Sequence, residues 1–283
     1  MRQLLVSQLD EAQDARAEVE QPRALLQAQA EDLRRSNRDL EQFAYVASHD
    51  LEEPLRKVAS FCQMLERRYK GQLDDRADQY IAFAVDGAKR MQLLINDLLA
   101  FSRVGRLGSG FTDVPLDDAL ADALRNLATA VEESSATVTA DPLPVVRGER
   151  GLLVQLLQNV VGNAVNFRGD SPPEVSIAVR RVGDRWEFAC RDNGIGVEPQ
   201  YAERIFVIFQ RLHPKTDYEG TGIGLALCKK IVEHHSGDIW LDADDDGYGT
   251  TVRWTLPVEA AVRPVVDDEG PAAGVPALTA GRA

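Results

Sequence analysis

The sequence predicts an α+β protein in which a long helical hairpin is followed by an α/β sandwich. Between residues 40 and 98, apolar residues recur at every third or fourth position, which is the period of amphipathic helices. After the glycine-containing stretch VGRLGSG (104–110), short alternating segments typical of strands are mixed with further helical patterns. With 283 residues, 44% of them hydrophobic, the chain is long enough for two such units with cores of their own.

Residues 1–39 carry a weak heptad pattern. Small or apolar residues recur at every seventh position from Leu5 to Leu33, but the companion positions are often polar and Pro22 interrupts a continuous helix. We predict an N-terminal helix or coiled coil here. A solvated helix that merely leads into the next element is the alternative interpretation.

The hairpin is predicted over residues 40–104. One apolar stripe runs from Leu40 to Leu65 and a second from Ala77 to Leu98, on either side of the turn signal KGQLDD (70–75). Because two helices alone leave an apolar stripe exposed, the pattern predicts that two hairpins pair in a homodimeric four-helix bundle.

One histidine stands out in ASHDLEEPLRKV (47–58). His49 lies two residues after Ala47 and two before Leu51, so at about 100° per residue it is placed opposite the buried stripe. Asp50 is adjacent and can orient an imidazole proton, so His49 is a candidate nucleophile. A surface histidine without a role is the alternative.

The sandwich is predicted over residues 111–258, and the Pro-, Ala- and Gly-rich tail 259–283 is predicted to be disordered. The sheet of the sandwich is expected to be mixed or antiparallel. The helices expected are DVPLDDALADALRNL, ERGLLVQLLQNVVGNAVNF and GLALCKKIVEHH, and the strands expected are ATVTAD, EVSIAVRRV, RWEFACRD, DIWLDA and TTVRWTLP.

Three clusters of asparagine and glycine in this unit indicate a nucleotide site. Glycine-rich turns that lead into helices offer backbone N–H groups to phosphates, and amides on an apolar helix need polar partners, which Mg²⁺ or a ligand could supply. The stretch between the two glycine clusters, 197–219, is long enough to form a lid. The clusters are Asn159 with Asn163, Asp192 with Gly194 and Gly196, and Gly220 with Gly222 and Gly224.

From about Leu40 to Pro257, the order of these motifs resembles the two-component sensor histidine kinases, and ASHDLEEPLRKV and IFQRLHPKTDYEGTGIGLALCKKIVE resemble the phytochrome type. The resemblance implies a dimerisation and phosphoacceptor hairpin and an ATP-binding domain of the gyrase and chaperone type. It also implies phosphorylation of His49, polarised by Asp50, and transfer of the phosphoryl group to an aspartate on a response-regulator receiver domain.

The same resemblance assigns the ligands, ATP and Mg²⁺. Asn163 is expected to hold Mg²⁺, Asn159 to lie near the phosphates, and Asp192 to accept the adenine amino proton. The remaining assignments concern turns and loops: Gly194 and Gly196 under the base, Gly220, Gly222 and Gly224 at the phosphates, and Phe206 and Phe209 in an aromatic loop that helps to place the domain against the hairpin.

Two positions depart from the family pattern. Glu53 stands four residues after His49, where threonine or asparagine is associated with dephosphorylating the regulator, so that reverse activity is in doubt. The motif NAVNF has Asn166 where a lysine that touches phosphate is common, and Arg168 is a candidate to supply the missing charge.

Composition limits the partners and the compartment. The net charge of −13 disfavours nucleic acid, no apolar run is long enough to cross a bilayer, and three distant cysteines give no disulfide framework, so we expect a cytoplasmic protein. His213, His234, His235 and the acidic run DADDDG (242–247) are expected to be structural. Two other functions remain open: an ATPase or serine kinase of the same fold, and a silent ATP-binding dimeric scaffold.

Overall fold

The structure is a computed structural model that describes residues 29, 50–105, 110–212, 220–242 and 249–258. His49, most of the predicted N-terminal helix and the tail 259–283 lie outside the described residues, as do His213 and most of the acidic run 242–247. In the part of the chain that is described, no helix is both long and apolar enough to cross a membrane.

The hairpin begins the described fold. Residues 50–69 form helix α1, in which Pro54 is included, and α2 spans Asp75–Arg103. The turn between them is capped at its end, because the Asp74 side chain accepts a hydrogen bond from Ala77 N at 2.7 Å. Asp78 Oδ2 accepts another hydrogen bond from Gly71 N at 2.8 Å. Two aspartate side chains therefore stabilise the turn that the sequence predicted here.

The hairpin buries only part of its apolar surface. Leu55 on α1 and Val85 and Ala88 on α2 are buried. The stripe predicted on α1 therefore divides into two, because Leu51 is 56% exposed and Val58 49%. The large apolar side chains left exposed on the two helices and the turn between them are Leu51, Val58, Phe61, Met64, Leu65, Tyr69, Leu73, Tyr80, Phe83, Met91 and Leu93.

The sandwich contains a five-stranded mixed sheet in the order β2-β4-β5-β7-β6. β2 and β4 are parallel, and the other neighbours are antiparallel. The hairpin between β4 and β5 turns at Gly183, whose φ is 63°. The strands are β2 (Thr137–Ala140), β4 (Glu174–Val182), β5 (Arg185–Asp192), β6 (Ile239–Asp242) and β7 (Thr251–Pro257).

A second, two-stranded sheet was not predicted from the sequence. β1 (Thr112–Pro115) pairs antiparallel with β3 (Val145–Gly148). The helix predicted to start at Asp113 therefore starts three residues later, after Pro115, as α3 (Leu116–Asn126). It is followed by the short α4 (Ala128–Ser134), which includes residues beyond the predicted helix.

The main helices cover one face of the large sheet. α5 (Arg150–Asn166) packs against α3 and against α6 (Gly224–His234). Their buried side chains meet those of the sheet, where the ring of Phe188 on β5 stacks on Trp254 of β7 at a centroid distance of 5.2 Å. This is the helix-on-sheet architecture that the alternating patterns predicted.

The end of α2 belongs to the core of the sandwich. Leu98 and Phe101 pack against that core, and Val104 is buried in it. The ammonium group of Lys230 on α6 lies 4.3 Å from the centre of the Phe101 ring, a cation–π contact. The hairpin helix thus leads directly to the face of the sandwich that carries the functional motifs.

Candidate functional site

A cavity of about 340 Å³ opens between α5, the ends of β5 and β7 and the segment that leads into α6. Its wall contains residues from all three predicted clusters. They are Asn159 and Asn163, then Asp192 and Gly196, then Gly220, Gly222 and Gly224. Motifs that lie up to 65 residues apart in sequence are thus brought to one site.

The two asparagines occupy one face of α5, four residues apart. The Asn159 side-chain nitrogen is buried and has no hydrogen-bond partner among the described residues. The amide lies close to the Cys228 thiol, whose sulfur is only a weak hydrogen-bond acceptor, and burial raises the pKa of that thiol to about 12. A buried donor without a partner costs about 1–3 kcal/mol, so Asn159 is suited to a ligand that accepts a hydrogen bond.

Asp192 is fixed by the backbone at the end of β5. Its Oδ1 atom accepts hydrogen bonds from Gly194 N at 2.9 Å and from Thr250 N at 3.1 Å. The turn beneath it is crowded, because a Cβ atom at Gly194 would stand 2.3 Å from the Phe167 oxygen and one at Gly249 would stand 2.2 Å from the Asp192 oxygen. Only glycine fits these two positions without a shift of the backbone.

The wall around Asp192 is mostly apolar. Cys190, Ile195 and Val252 line the cavity beside the carboxylate. Burial raises the pKa of the Cys190 thiol, and the charge of Asp192 raises it further, so this thiol stays neutral at physiological pH. An anchored carboxylate beside apolar walls is suited to a flat heterocycle that carries a hydrogen-bond donor.

The segment Gly220–Gly222, here called the glycine loop, is held by the loop before it. Phe209 N donates to Gly222 O at 3.0 Å, and the Arg211 guanidinium donates to Gly220 O. Gly222 has a φ of 75°, and a Cβ atom there would lie 3.0 Å from the Gln210 oxygen. The glycine loop therefore lies closely against residues 209–211, and helix α6 begins just beyond it at Gly224.

The aromatic loop contains two 3-10 helices, Pro199–Tyr201 and Arg204–Phe206, and its two phenylalanines have different surroundings. Phe206 is buried in the core, whereas Phe209 is 60% exposed and has a φ of 64°, which is uncommon outside glycine. The physical reason is that the segment packs one ring under α6 while its backbone turns toward the glycine loop.

The hairpin contributes a residue that the sequence analysis missed. Asp97 and Leu93 of α2 line the same cavity, and Asp97 Oδ2 accepts a hydrogen bond from the Thr221 hydroxyl at 2.6 Å. The available signal was an acid inside the apolar run LLINDLLAF (93–101).

Several predicted residues lie elsewhere. Gly194 supports the Asp192 turn from below, and neither Asn166 nor Arg168 is among the residues that line the cavity. Asp50 is exposed at the start of the described part of α1, next to His49, which is not described.

Two further histidines stabilise the sandwich. His234 Nε2 lies 2.7 Å from Glu149 Oε1, and His235 Nε2 accepts a hydrogen bond from Glu149 N at 3.0 Å. His235 Nδ1 lies 2.8 Å from the Ile231 carbonyl oxygen, so both of its ring nitrogens have partners in a neutral ring.

Two family descriptions match this chain. Residues 39–106 match the "His Kinase A (phospho-acceptor) domain", and residues 148–260 match the "Histidine kinase-, DNA gyrase B-, and HSP90-like ATPase". The chain belongs to the histidine kinases. The cavity therefore lies in an ATPase domain of this family, and the hairpin corresponds to its phosphoacceptor domain.

Relatives and solved structures agree with this membership. Cyanobacterial phytochrome A of Nostoc sp. is 50% identical over 81% of this chain, and a phytochrome-like protein of Synechocystis sp. is 45% identical over 81%. The chain spans about 30% of the length of each. The structure of full-length ShkA in complex with AMPPNP aligns with a TM-score of 0.60 at 25% identity, covering 76% of this chain and 45% of that one. Histidine kinase ThkA, solved with response regulator protein TrrA, shares the fold with a TM-score of 0.54 at 17% identity, over 80% of this chain and 65% of that one.

Proposed function

We propose that this histidine kinase phosphorylates His49 from Mg-ATP and passes the phosphoryl group to an aspartate on a response-regulator receiver domain. One observation carries the proposal: a single cavity combines the buried amide of Asn159, the anchored carboxylate of Asp192 and the glycine loop. These features match what a kinase must hold: the carboxylate suits the base, and the amide and the glycine loop suit the phosphates.

The base is assigned to the Asp192 end of the cavity. A carboxylate accepts hydrogen bonds and donates none, so it selects the adenine amino group over the carbonyl oxygen of guanine. Gly194 N and Thr250 N fix the carboxylate before any ligand arrives, which lowers the ordering cost of binding. The apolar neighbours Cys190 and Val252 supply contact surface for the ring.

The phosphates are assigned to the opposite end, between Asn159, Asn163 and the glycine loop. Helix α6 starts there at Gly224, and a helix N-terminus favours anions. The Asn163 amide oxygen is the kind of hard ligand that Mg²⁺ accepts, with phosphate oxygens and water completing the shell. When bound, Mg²⁺ would neutralise charge on the transferred group.

At the acceptor, His49 would attack the γ-phosphorus through the lone pair of one ring nitrogen. A nitrogen–phosphorus bond forms, the bond to the ADP oxygen breaks, and ADP leaves with the electron pair. The proton on the other ring nitrogen stays there and can be held by the neighbouring Asp50 carboxylate. Asp50 is solvent-exposed, so this face of α1 is open to an incoming domain.

A homodimer is part of the proposal. The exposed side chains of Leu51, Val58 and Leu65 form a heptad-spaced row on α1, and Tyr80, Phe83 and Met91 are exposed on α2. Exposed apolar rows on a helical pair are normally covered, and a second copy would complete four helices. We expect Val58→Glu to convert the full chain to monomer in sedimentation, whereas Arg67→Glu, on an exposed position of the same helix, should leave a dimer.

The activity is tested with γ-labelled ATP and Mg²⁺. The wild-type chain should acquire acid-labile, base-stable label, and His49→Gln should remove it while nucleotide affinity changes little. Label that survives in His49→Gln would contradict the acceptor assignment and favour a serine kinase. Nucleotide binding without label in the wild type would instead support a silent scaffold, and phosphate release without label an ATPase.

Dephosphorylation of a phosphorylated receiver domain is tested separately. Glu53 is engaged by Lys57 at 2.7 Å and offers a carboxylate where an amide or hydroxyl would have to position water. We expect slow dephosphorylation of a phosphorylated receiver by the wild type and acceleration in Glu53→Asn. The matched control is Glu52→Asn, one residue away on the same helix.

A further inference from the structure

The hairpin and the glycine loop are joined by one short hydrogen bond. The Thr221 hydroxyl donates to Asp97 Oδ2 at 2.6 Å, across 124 positions of the sequence. The same hydroxyl oxygen accepts a longer bond from Ile223 N at 3.3 Å, just before α6. The carboxylate of a hairpin residue thus lies at the entrance of the helix to which the phosphates are assigned.

Asp97 is part of the wall of the nucleotide cavity. It lines the cavity together with Asn159, Gly220 and Gly222. Burial raises the pKa of the Asp97 carboxyl, and the hydrogen bond from Thr221 partly offsets the rise. An anionic group in this position repels a second anion, and the repulsion is weakly screened because the site is partly buried.

We infer that the Asp97 carboxylate competes with the nucleotide phosphates. While α2 is docked, the carboxylate is hydrogen-bonded to Thr221 of the glycine loop, and its negative charge lowers the affinity for ATP. This rests on the proposed function. Its consequence is a coupling between the hairpin and the nucleotide site: ATP weakens the contact between Asp97 and Thr221, and any signal that moves α2 away from the loop strengthens ATP binding by the same factor.

The position of α2 does not depend on this hydrogen bond alone. Leu99 and Val104 are buried, and Phe101 is covered by the Lys230 side chain. Removal of the Asp97 charge should therefore leave the helix in place and change the electrostatic environment of the cavity. This separation makes a charge-specific test possible.

The test measures Kd values of the full chain by calorimetry for a non-hydrolysable ATP analogue, ADP and adenosine. Asp97→Asn keeps the shape and removes the charge. It should tighten the ATP analogue about fivefold, ADP less, and adenosine not at all, following the number of phosphate charges. Asp97→Glu, which keeps the charge, should not tighten the ATP analogue. Asp86→Asn removes the same charge from an exposed position of α2, about 16 Å away along the helix, and should change nothing.

Several outcomes would overturn the inference. An unchanged or weaker affinity in Asp97→Asn contradicts competition, and equal tightening for adenosine shows a change of cavity shape instead of charge. Tightening in Asp97→Glu as well would show that a loosened contact, not repulsion, is responsible. If the wild-type chain binds no nucleotide at all, the proposed function fails; if it binds and Asp97→Asn is silent, only the role of Asp97 fails.

Discussion

Asp192 and Thr250 are joined by two hydrogen bonds, one from Asp192 N to Thr250 O at 2.9 Å and one from Thr250 N to Asp192 Oδ1 at 3.1 Å. The first continues the ladder between β5 and β7 by one residue, and the second attaches the side chain to the same partner. The carboxylate is therefore oriented by the sheet. This is how a strand end becomes a recognition site without a ligand to order it.

Asp192→Asn should exchange base specificity without loss of the fold. The asparagine Oδ1 atom can accept the same two backbone hydrogen bonds, but its amide nitrogen would face the adenine amino group donor to donor. We expect ATP affinity to fall by about 2 kcal/mol, roughly thirtyfold in Kd. Inosine triphosphate, whose base carries a carbonyl oxygen that accepts a hydrogen bond in place of the adenine amino group, should lose less affinity or gain some.

Calorimetric titration with both nucleotides measures the exchange, and the melting temperature reports the fold. Equal losses for ATP and inosine triphosphate at an unchanged melting temperature would show that Asp192 does not contact the base.

Gly194→Ala should damage both stability and binding. The added methyl group would stand 2.3 Å from the Phe167 carbonyl oxygen and 3.0 Å from Asp192 Oδ1, so backbone must move. We expect a loss of about 2 kcal/mol or more in the free energy of unfolding, as for other overpacked sites, together with weaker nucleotide binding.

The matched control for this prediction is Gly162→Ala in the middle of α5. Its methyl group would meet the Leu127 side chain at an ordinary 3.5 Å, and the helix should gain up to about 1 kcal/mol. Both free energies follow from urea unfolding. A Gly194→Ala variant as stable as wild type would mean that the backbone of this turn can shift to accept a methyl group without loss of stability.

The sequence was informative wherever the chemistry is local. The long strands β4, β5 and β7, the helices α5 and α6, and the Asp192 turn were all predicted, because alternation, helical period and glycine chemistry are properties of short segments. The paired strands β1 and β3 were missed: β1 overlaps the start of the segment DVPLDDALADALRNL, whose helical period dominated the pattern, and β3 has only four residues. The domain boundaries predicted at 40, 104, 111 and 258 stay predictions.

The residues that were missed act across long separations in sequence. Asp97 read as an ordinary member of an apolar helix, and its contact with Thr221 depends on how the hairpin meets the sandwich. The stripe on α1 was predicted as one surface, whereas the structure buries Leu55 and leaves Val58 exposed. Periodicity locates an apolar face but does not say which neighbour covers each side of it.

Stability should fall as the pH drops below about 6.5 because of His235. Burial lowers the pKa of His235 in the folded state below its ordinary value of 6.5. Below that pH the unfolded chain binds a proton that the folded chain refuses, so the free energy of unfolding decreases; above it the contribution is constant. His235→Gln should flatten this part of the profile.

The measurement is urea unfolding between about pH 5.5 and 7.5, above the range in which ordinary carboxylates titrate. His49→Gln removes a histidine from the hairpin and should retain the wild-type slope. An identical slope in His235→Gln would show that another group is responsible.

Asn166 tests how closely this site follows the family pattern. It lies at the C-terminal end of α5, three residues after Asn163 and on the same face as Asn159, although it is not among the residues that line the cavity. An amide can donate to a phosphate oxygen but cannot neutralise it, and charge-assisted hydrogen bonds are about twice as strong as neutral ones. Asn166→Lys should therefore tighten Mg-ATP by on the order of 1 kcal/mol, about fivefold in Kd, at low salt.

Two controls separate a specific contact from a general change of charge. Gln155→Lys adds the same charge to α5 about three turns away and should have little effect, and 1 M salt should remove most of the Asn166→Lys gain. If Arg168 already supplies the charge, Asn166→Lys gains nothing and Arg168→Ala weakens binding instead. No change in either variant would place position 166 away from the phosphates, and the affinity of this kinase for ATP would then depend on Asn159, Asn163 and the glycine loop.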